Sequence, residues 1–412
     1  MAPDPTAERR HTVMAAVAFF FLMAGYYVLR PVREEMGIEG GVKDLQWLYT
    51  GTFLGILVAV PLLSWVVVRL RRRAAVPVIY AIFVLNLVVF YALLTLLAPT
   101  AKVVLARVIY VWVSVFNMFV VSLFWALMAD LFSVAGSKRR FGLVSAGGSA
   151  GAIAGPLLTA SLAERLGPGP LLLVAAGLLA VAAIAIAYAG RGTGEGAGQT
   201  KDDAEVLGGS LWEGFWLVLR SPQLLGISGY IVLYSAVSTF LYFEQANIVE
   251  AAISDGGERT RLFAAMDLAT NVLALLLQAL ATAGIVRRFG VAFMLVSVPL
   301  LGVACFGALA VAPVLTVLVV VQVIKRAAGF AVARPAREIL FTAVSPAERY
   351  KGKLVIDTVV YRGGDLLSAW AFAGLTGLGL GLSAIAALGI PVSLAWGAVA
   401  RFLGKRATAA RG

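Results

Sequence analysis

The chain has 412 residues, of which 61% are hydrophobic and 14% are charged, and its mean hydropathy is +0.92. An average soluble domain carries about 25% charged residues, so this composition excludes an ordinary soluble protein. The formal net charge is +12, but the basic residues lie between hydrophobic runs rather than on a polar segment, which argues against a nucleic-acid partner.

Apolar runs bounded by charge, Gly or Pro predict twelve transmembrane helices, because a span needs about 20 apolar residues. Helices 1 to 6 are predicted at 12–36, 46–69, 74–97, 102–133, 141–163 and 168–189. Helices 7 to 12 are predicted at 222–249, 259–286, 290–312, 314–344, 351–376 and 382–404. The first run has no small-residue cleavage site, so helix 1 is predicted to be a retained signal anchor.

A polar segment separates the two halves. Residues 190–209 are rich in glycine and charge and contain little to bury. Residues 210–213, Ser-Leu-Trp-Glu, carry a helix-capping pattern, and the segment up to Pro222 is predicted to lie as a helix on the inner membrane surface. We therefore predict an N-terminal six-helix bundle at 1–189, a cytoplasmic linker with an interfacial helix at 190–221, and a C-terminal six-helix bundle at 222–412.

The basic residues predict an orientation. Most of the 34 lysines and arginines fall in tails and loops that are cytoplasmic if the amino terminus is inside. Basic clusters follow helix 2 at residues 69–73 and helix 8 at residues 287–288, which are equivalent places in the two halves. The positive-inside rule then predicts a bacterial inner-membrane protein with both termini in the cytoplasm and in contact with membrane lipid.

Many charged residues fall inside or beside the predicted helices. The basic ones are Arg30, Arg33, Arg107, Lys325, Arg326, Arg334, Arg337 and Arg362, and the acidic ones are Glu34, Asp130, Glu244, Asp267, Glu338, Asp357 and Asp365. A charge that faces lipid costs about 3 kcal/mol or more, so these residues are expected to face the protein interior. Two interpretations remain open: buried ion pairs that hold helices in register, and a polar transport pathway. Their number favours the pathway.

One charged pattern occurs twice, as Arg30-Pro-Val-Arg33-Glu34 in helix 1 and Arg334-Pro-Ala-Arg337-Glu338 in helix 10. The i, i+3, i+4 spacing puts both arginines and the glutamate on one face, so the glutamate can pair with one arginine while the other stays available. Each proline predicts a bend. Guanidinium groups match carboxylate and phosphate oxygens, which predicts an anionic ligand. Aromatic residues that could stack on a ligand ring are Tyr26, Tyr27, Trp125 and Tyr361.

Helix 11 carries a third group of polar residues. Asp357, Tyr361 and Asp365 recur every four residues on one face. Asp357, Arg362 and Asp365 are candidates for gating ion pairs or for substrate contacts, and packing and function weigh equally here.

A glycine stripe runs along helix 5. Gly147, Gly151 and Gly155 lie four residues apart, and no Gly-Lys-Ser/Thr follows them, so a phosphate loop is excluded and close packing against another helix is predicted.

Twelve helices, a central linker and basic loops after helices 2 and 8 resemble the major facilitator superfamily, whose fold implies a cavity lined by helices 1, 4, 7 and 10. Glu244 and Gln245 on helix 7 would complete it. More specifically, the chain resembles the ATP:ADP antiporter family of plastids and intracellular bacteria. The matching motifs are Leu29-Arg30-x-x-Arg33-Glu34, Phe124-Trp125, Arg140-Phe141, Lys351-Gly-Lys353-x-x-Ile356-Asp357 and Arg362-x-Gly364.

That resemblance implies nucleotide exchange by alternating access, with Arg33 and Arg337 in the places of two lysines of the family. Two charges are reversed, since Arg334 stands where the family has Asp and Asp365 where it has Lys. The variant motifs resemble those of a free-living bacterial branch whose substrates do not follow from the family name.

The sequence thus predicts an all-α membrane protein that moves an organic anion, with a nucleotide as the narrower candidate. Predicted substrate-binding residues are Arg30, Arg33, Glu34, Trp125, Glu244, Arg334, Arg337, Glu338, Tyr361 and Arg362. Predicted coupling or gating residues are Asp130, Asp267, Asp357 and Asp365. An alternative is a proton-coupled symporter in which Asp130, Glu244, Asp267 or Asp365 carries the proton.

A membrane protein without transport activity is the remaining alternative, but no nucleophile and base or metal-ligand set favours an enzyme. One cysteine, Cys305, and one histidine, His11, leave too few ligands for a disulfide framework or a Cys/His metal site. We expect no cofactor and no metal, and we expect a monomer.

Overall fold

The computed structural model describes residues 5–69, 72–131, 134–189, 211–341, 344–345 and 348–409. In the first half, the helices follow the predicted runs closely. Helices 1 to 6 are Pro5–Glu39, Leu45–Arg69, Arg72–Leu96, Pro99–Leu131, Val134–Leu166 and Pro168–Ala189. A 3-10 turn, Val42–Asp44, precedes helix 2.

The second half is less regular. It contains a linker helix, Leu211–Arg220, helix 7, Pro222–Ala252, and helix 12, Leu382–Ala409. Helix 8 begins as Gly256–Leu277 and continues through a π turn, Gln278–Thr282; within Ala283–Val311 a glycine with φ 75°, Gly290, separates it from helix 9. Helix 10 comprises Leu315–Ala328, a π turn at Gly329–Ala333, and Arg334–Leu340. Helix 11 comprises π turns at Glu348–Gly352 and Ile356–Val360 around Lys353–Val355, followed by Tyr361–Gly377.

Eleven helices within the described residues are long and apolar enough to cross a membrane, judged by length and composition. Helix 11 is not among them, and it carries Asp357, Arg362 and Asp365, which lower its hydropathy. Together these elements confirm the predicted all-α membrane fold of about twelve helices.

Packing divides the chain into two compact units. Among the described residues, the first unit comprises those up to 189 and 253–268, and the second comprises 211–252 and those from 269 onward. The start of helix 8 belongs to the first unit, and the division into bundles at 1–189 and 222–412 stays a prediction. Two ion pairs connect this start to the first six helices: Arg259 pairs with Glu35, and Arg261 pairs with Glu164. The predicted linker at 190–209 lies outside the described residues.

The glycine stripe of helix 5 packs directly on the backbone of helix 1. A Cβ atom placed on Gly147, Gly151 or Gly155 would lie 2.4, 2.2 or 2.6 Å from the carbonyl oxygens of Ala16, Phe20 and Ala24, respectively. No side chain can occupy such a position without moving a helix. The predicted close packing of helix 5 is confirmed.

Replacing Gly151 by valine should therefore destabilise the first unit, because added methyl groups would meet a carbonyl oxygen rather than a side chain that can turn away. Overpacking typically costs about 1–3 kcal/mol, and we expect a clear fall in the thermal unfolding temperature of the purified protein. The control is Gly177→Val in helix 6, where nothing lies within 4 Å of an added Cβ. Equal shifts in the two variants would contradict this account.

The linker helix is fixed to the start of helix 11. A Cβ on Gly214 would lie 2.7 Å from the carbonyl oxygen of Lys351, so the two backbones nearly touch. Side-chain hydrogen bonds with Ser221 and Ser345 lower the pKa of Glu348 and add a polar connection between the same segments. On the other side, Trp216 is 55% exposed. An exposed tryptophan suits the predicted position at a membrane surface, which stays a prediction.

Candidate functional site

Three helices of the second unit surround a cavity of about 380 Å³. Its lining residues are Tyr230, Ile231 and Tyr234 of helix 7, Ala333, Arg334 and Arg337 of helix 10, and Asp357, Tyr361 and Arg362 of helix 11. Two π turns border it, since Ala333 ends the turn in helix 10 and Asp357 lies in the second turn of helix 11. Such turns change which side chains face inward and are frequent at functional sites. Five residues that the sequence singles out thus share one cavity.

Three guanidinium groups and one carboxylate line this cavity, which makes it electropositive. Arg337 is held by acids on two sides: its Nη2 atom lies 3.4 Å from Asp357 Oδ1 and 3.6 Å from Glu338 Oε1. Glu338 also accepts a hydrogen bond from Lys353. These contacts orient the Arg337 guanidinium while leaving it at the cavity wall.

Arg334 differs from Arg337 because it makes no ion pair with any residue that the structure describes. It is exposed, and its guanidinium carbon lies 4.6 Å from the centroid of the Phe330 ring. In the helix 10 motif, one arginine is expected to pair with the glutamate and the other to stay available. Arg337 pairs with Glu338, and Arg334 makes no ion pair with a described residue. Arg334 is the accessible cation of the cavity.

Tyrosine rings form the remaining wall. Tyr234 and Tyr361 lie with their ring centroids 6.2 Å apart, and Tyr234 also packs on Trp396 at 5.6 Å. The packing holds the Tyr234 ring in place. A ligand with a planar group would find rigid aromatic surface beside the guanidinium groups.

Asp365 lies behind Arg362 rather than at the cavity surface. It accepts hydrogen bonds from Ser235 and, at 3.5 Å, from Thr239, and Arg362 Nη1 lies 3.3 Å from its Oδ2 atom. Arg362 therefore joins the cavity to a half-buried carboxylate.

The helix 1 copy of the motif is paired differently. Arg33 pairs with Glu34, and Arg30 Nε lies 3.6 Å from Oδ2 of Asp267 in helix 8. The Arg30 guanidinium also lies over the Tyr27 ring, 5.9 Å from its centroid, and the Arg33 guanidinium lies over the Tyr110 ring, 5.4 Å from its centroid. Both arginines of this copy thus have acidic partners within the first unit. Helix 1 runs through its proline as one α-helix, whereas helix 10 contains a π turn just before Pro335.

Two other predicted residues, Trp125 and Glu244, do not line the cavity. Trp125 packs in an aromatic cluster of the first unit, with its ring centroid 5.3 Å from Phe19 and 5.7 Å from Phe141. Glu244 in helix 7 is fully buried, and neither of its carboxylate oxygens accepts a hydrogen bond from a described residue. The side chain of Asp130 lies outside the described part of the chain.

Sequence reasoning missed two sets of residues. The first is a buried ion pair, in which Arg259 donates to Glu35 through Nε at 2.8 Å and Nη2 at 2.6 Å; neither residue is among the charged residues that the sequence singles out. The second is the polar face of helix 7, Tyr234, Ser235 and Ser238. The i, i+4 and i, i+3 spacing of these residues is visible in the sequence and could have marked that face.

Comparison with known proteins places the fold. The family model described as Major Facilitator Superfamily matches residues 13–351. No curated protein matches the sequence. A bacterial homologue of the iron transporter ferroportin, in an inward-facing state, is similar with a TM-score of 0.69 at 13% identity, over 96% of this chain and 99% of that chain.

Two further solved structures are similar over nearly their whole length. A POT family transporter in complex with 5-aminolevulinic acid has a TM-score of 0.67 at 10% identity, over 97% of each chain. The nucleoside transporter NupG has a TM-score of 0.59 at 13% identity, over 98% of this chain and 100% of that chain. At such identities the likeness shows the fold and leaves the ligand to be argued from the site.

Proposed function

Because the chain belongs to the major facilitator superfamily, we propose that it is a secondary transporter of an organic anion that works by alternating access. The observation that carries the proposal is the cavity of the second unit, where Arg334, Arg337 and Arg362 face a single lining carboxylate, Asp357. Of the three, Arg334 has no acidic partner among the described residues.

The charge of the lining selects the sign of the cargo. A cation would meet an excess of guanidinium groups in a partly dehydrated space, where repulsion is stronger than in water. A carboxylate or phosphate group can instead accept paired hydrogen bonds from a guanidinium fork. The volume of about 380 Å³ is near the lower end of the range for small-molecule sites, about 300–1,000 Å³.

A nucleotide is the narrower candidate. It is supported by the resemblance of the helix 1 and helix 11 motifs to the ATP:ADP antiporters and by the Tyr234 and Tyr361 rings beside the arginines. Arg334 stands where the ATP:ADP antiporters have Asp. It adds a cation to the cavity, which favours an anion with more than one negative charge. The distribution of basic residues supports a place in a bacterial inner membrane with both termini in the cytoplasm.

A ligand panel tests the anion proposal. The thermal unfolding temperature of the purified protein should rise with phosphorylated anions and stay unchanged with the matching uncharged compounds, such as ADP against adenosine, because a ligand that binds the folded state stabilises it. If no phosphorylated or carboxylated anion raises this temperature, the anion proposal is wrong.

Transport measurements test the nucleotide version separately. In proteoliposomes loaded with ATP, ADP or phosphate, we expect labelled ADP uptake that exceeds uptake by protein-free vesicles and depends on the anion inside. Uptake that never exceeds the protein-free level under any of these loads removes the nucleotide as cargo. Stabilisation by another anion would then keep the broader proposal in place.

A further inference from the structure

A cluster of buried and half-buried polar side chains lies behind the cavity of the second unit. Helix 7 contributes the hydroxyl groups of Ser235, Ser238 and Thr239, helix 10 contributes Lys325, and helix 11 contributes Asp365. Lys325 Nζ donates to Ser238 Oγ at 2.6 Å, while Ser235 and Thr239 donate to Asp365. The Lys325 amine and the Asp365 carboxylate thus bind to hydroxyl groups of helix 7, Ser238 and Ser235, that lie about one helical turn apart.

Lys325 is unusual because its charge has little compensation. Its residue is only 4% exposed, and its other described contact is with the Tyr234 ring, whose centroid lies 5.2 Å from Nζ. No carboxylate lies within 4.0 Å of Nζ among the residues that the structure describes. A buried ammonium group without a carboxylate costs several kcal/mol, so its charge depends strongly on what surrounds it.

Asp365 forms an ion pair with Arg362, but Arg362 is also part of the cavity wall. Arg362 lies 3.3 Å from Asp365 and also lines the cavity, so an anion in the cavity competes with Asp365 for the same guanidinium. Before an anion binds, two cationic side chains, Arg362 and Lys325, lie near one carboxylate. Once Arg362 turns to the anion, one cationic side chain and one carboxylate remain in the cluster.

Other charged or titratable groups near the pair are few. Tyr361 and Arg362 belong to helix 11 with Asp365, Tyr234 faces Lys325 from helix 7, and the Cys305 thiol faces it from helix 9. Arg326 neighbours Lys325 in helix 10, and Lys325 and Asp365 also interact electrostatically with each other. None of these neighbours supplies a second carboxylate to the pair.

We propose that binding of an anion in the cavity is coupled to the uptake of one proton by the Lys325 and Asp365 pair. The anion withdraws Arg362 from Asp365, and a proton from solution restores the lost positive charge beside that carboxylate. Because Lys325 and Asp365 interact electrostatically, the proton is assigned to the two groups together. This inference rests on the proposed function and adds a coupled proton to it.

The sign of the coupling follows from linkage. If binding the anion takes up a proton, then adding protons must tighten anion binding, because the coupling free energy is reciprocal. Affinity should therefore rise as pH falls, by at most about tenfold for each pH unit when one proton is taken up.

Calorimetric titration of the unmodified protein tests the coupling directly. The probe is 1,3-benzenedisulfonate, which is aromatic and keeps both negative charges at every pH of interest. Titration at one pH in two buffers of different ionisation enthalpy gives the number of protons taken up. We expect this number to approach one at some pH between about 5.5 and 8.5. A value of zero throughout that range overturns the inference and leaves the anion proposal standing.

Two variants assign the proton to the pair. Asp365→Asn keeps the size and a hydrogen-bonding partner for Ser235, and Lys325→Gln keeps most of the side-chain volume. Asp365→Asn should bind the probe with an affinity that no longer depends on pH. Lys325→Gln should move the pH range of the dependence, because Asp365 still loses Arg362 to the anion but no longer has a second cation nearby. Asp365→Asn should also bind more tightly than the unmodified protein at high pH, since its Arg362 is already free.

The matched control is Cys305→Ser, which removes the thiol that faces Lys325 but not the pair. Its pH dependence should equal that of the unmodified protein. A pH dependence that persists in Asp365→Asn, or one that stays in the same pH range in Lys325→Gln, contradicts the assignment. Absence of probe binding in every protein and at every pH would instead count against the proposed function itself.

Discussion

Replacing Arg334 by alanine should lower the affinity for a phosphorylated anion by about 10- to 100-fold. Arg334 is exposed at the cavity and has no ion pair to release among the described residues, so its full charge is available to a ligand. A hydrogen bond to a charged group contributes about 1.5–3 kcal/mol, which corresponds to that change in affinity. Equilibrium binding of the strongest anion from the panel measures it.

Two further variants separate charge from geometry. Arg334→Lys keeps the charge but loses the planar fork, so an intermediate affinity is expected. Arg401→Ala removes one positive charge from an exposed position of helix 12 that does not line the cavity, and it should bind as the unmodified protein does. If Arg334→Ala and Arg401→Ala differ in affinity for the anion by less than about twofold, a general effect of charge, and not a site at Arg334, explains anion binding.

Arg337 offers an informative contrast within the same motif. Its removal would also leave Asp357 at the cavity wall without the guanidinium that lies 3.4 Å away. The variant therefore loses an attractive charge and gains an uncompensated repulsive one, so Arg337→Ala should reduce anion binding more than Arg334→Ala does. The double replacement of Arg337 and Asp357 by alanine and asparagine should recover part of that difference.

The positions of the helices could be predicted because each apolar run is long enough to cross a bilayer and few charges interrupt it. The π turns could not. A π turn forms where a change of helical register improves the tertiary packing. The sequences of Gly329–Ala333 and Ile356–Val360 contain no residue type that requires a π turn. Yet these turns border the cavity.

The repeated motif shows how far local spacing reaches. It correctly predicted one paired and one available arginine for helix 10, because Glu338 and Arg337 are neighbours in the chain. The same reasoning failed for helix 1, because Arg30 lies beside Asp267 of helix 8, which is far from helix 1 in the sequence. Partners far apart in the chain depend on tertiary packing and are not written into the spacing of a motif.

The ion pair of Glu35 and Arg259 provides the second large effect. The side chain of Glu35 is fully buried, and Arg259 donates two hydrogen bonds to it, at 2.8 and 2.6 Å. A carboxylate left in such a place without its cation loses its partner but stays dehydrated. Arg259→Ala should therefore reduce the free energy of unfolding by about 3–5 kcal/mol, as expected for breaking a buried pair.

Arg261 supplies the matched control, because it lies two positions away on the same helix and pairs with Glu164 in an exposed place. Exposed pairs contribute about 0–1 kcal/mol, so Arg261→Ala should leave chemical unfolding in detergent nearly unchanged. Replacing both buried partners, Glu35→Leu with Arg259→Met, should restore most of the lost stability because no unpaired charge remains. A double variant as unstable as Arg259→Ala would show that the shape of the pair, and not its charge balance, stabilises the first unit.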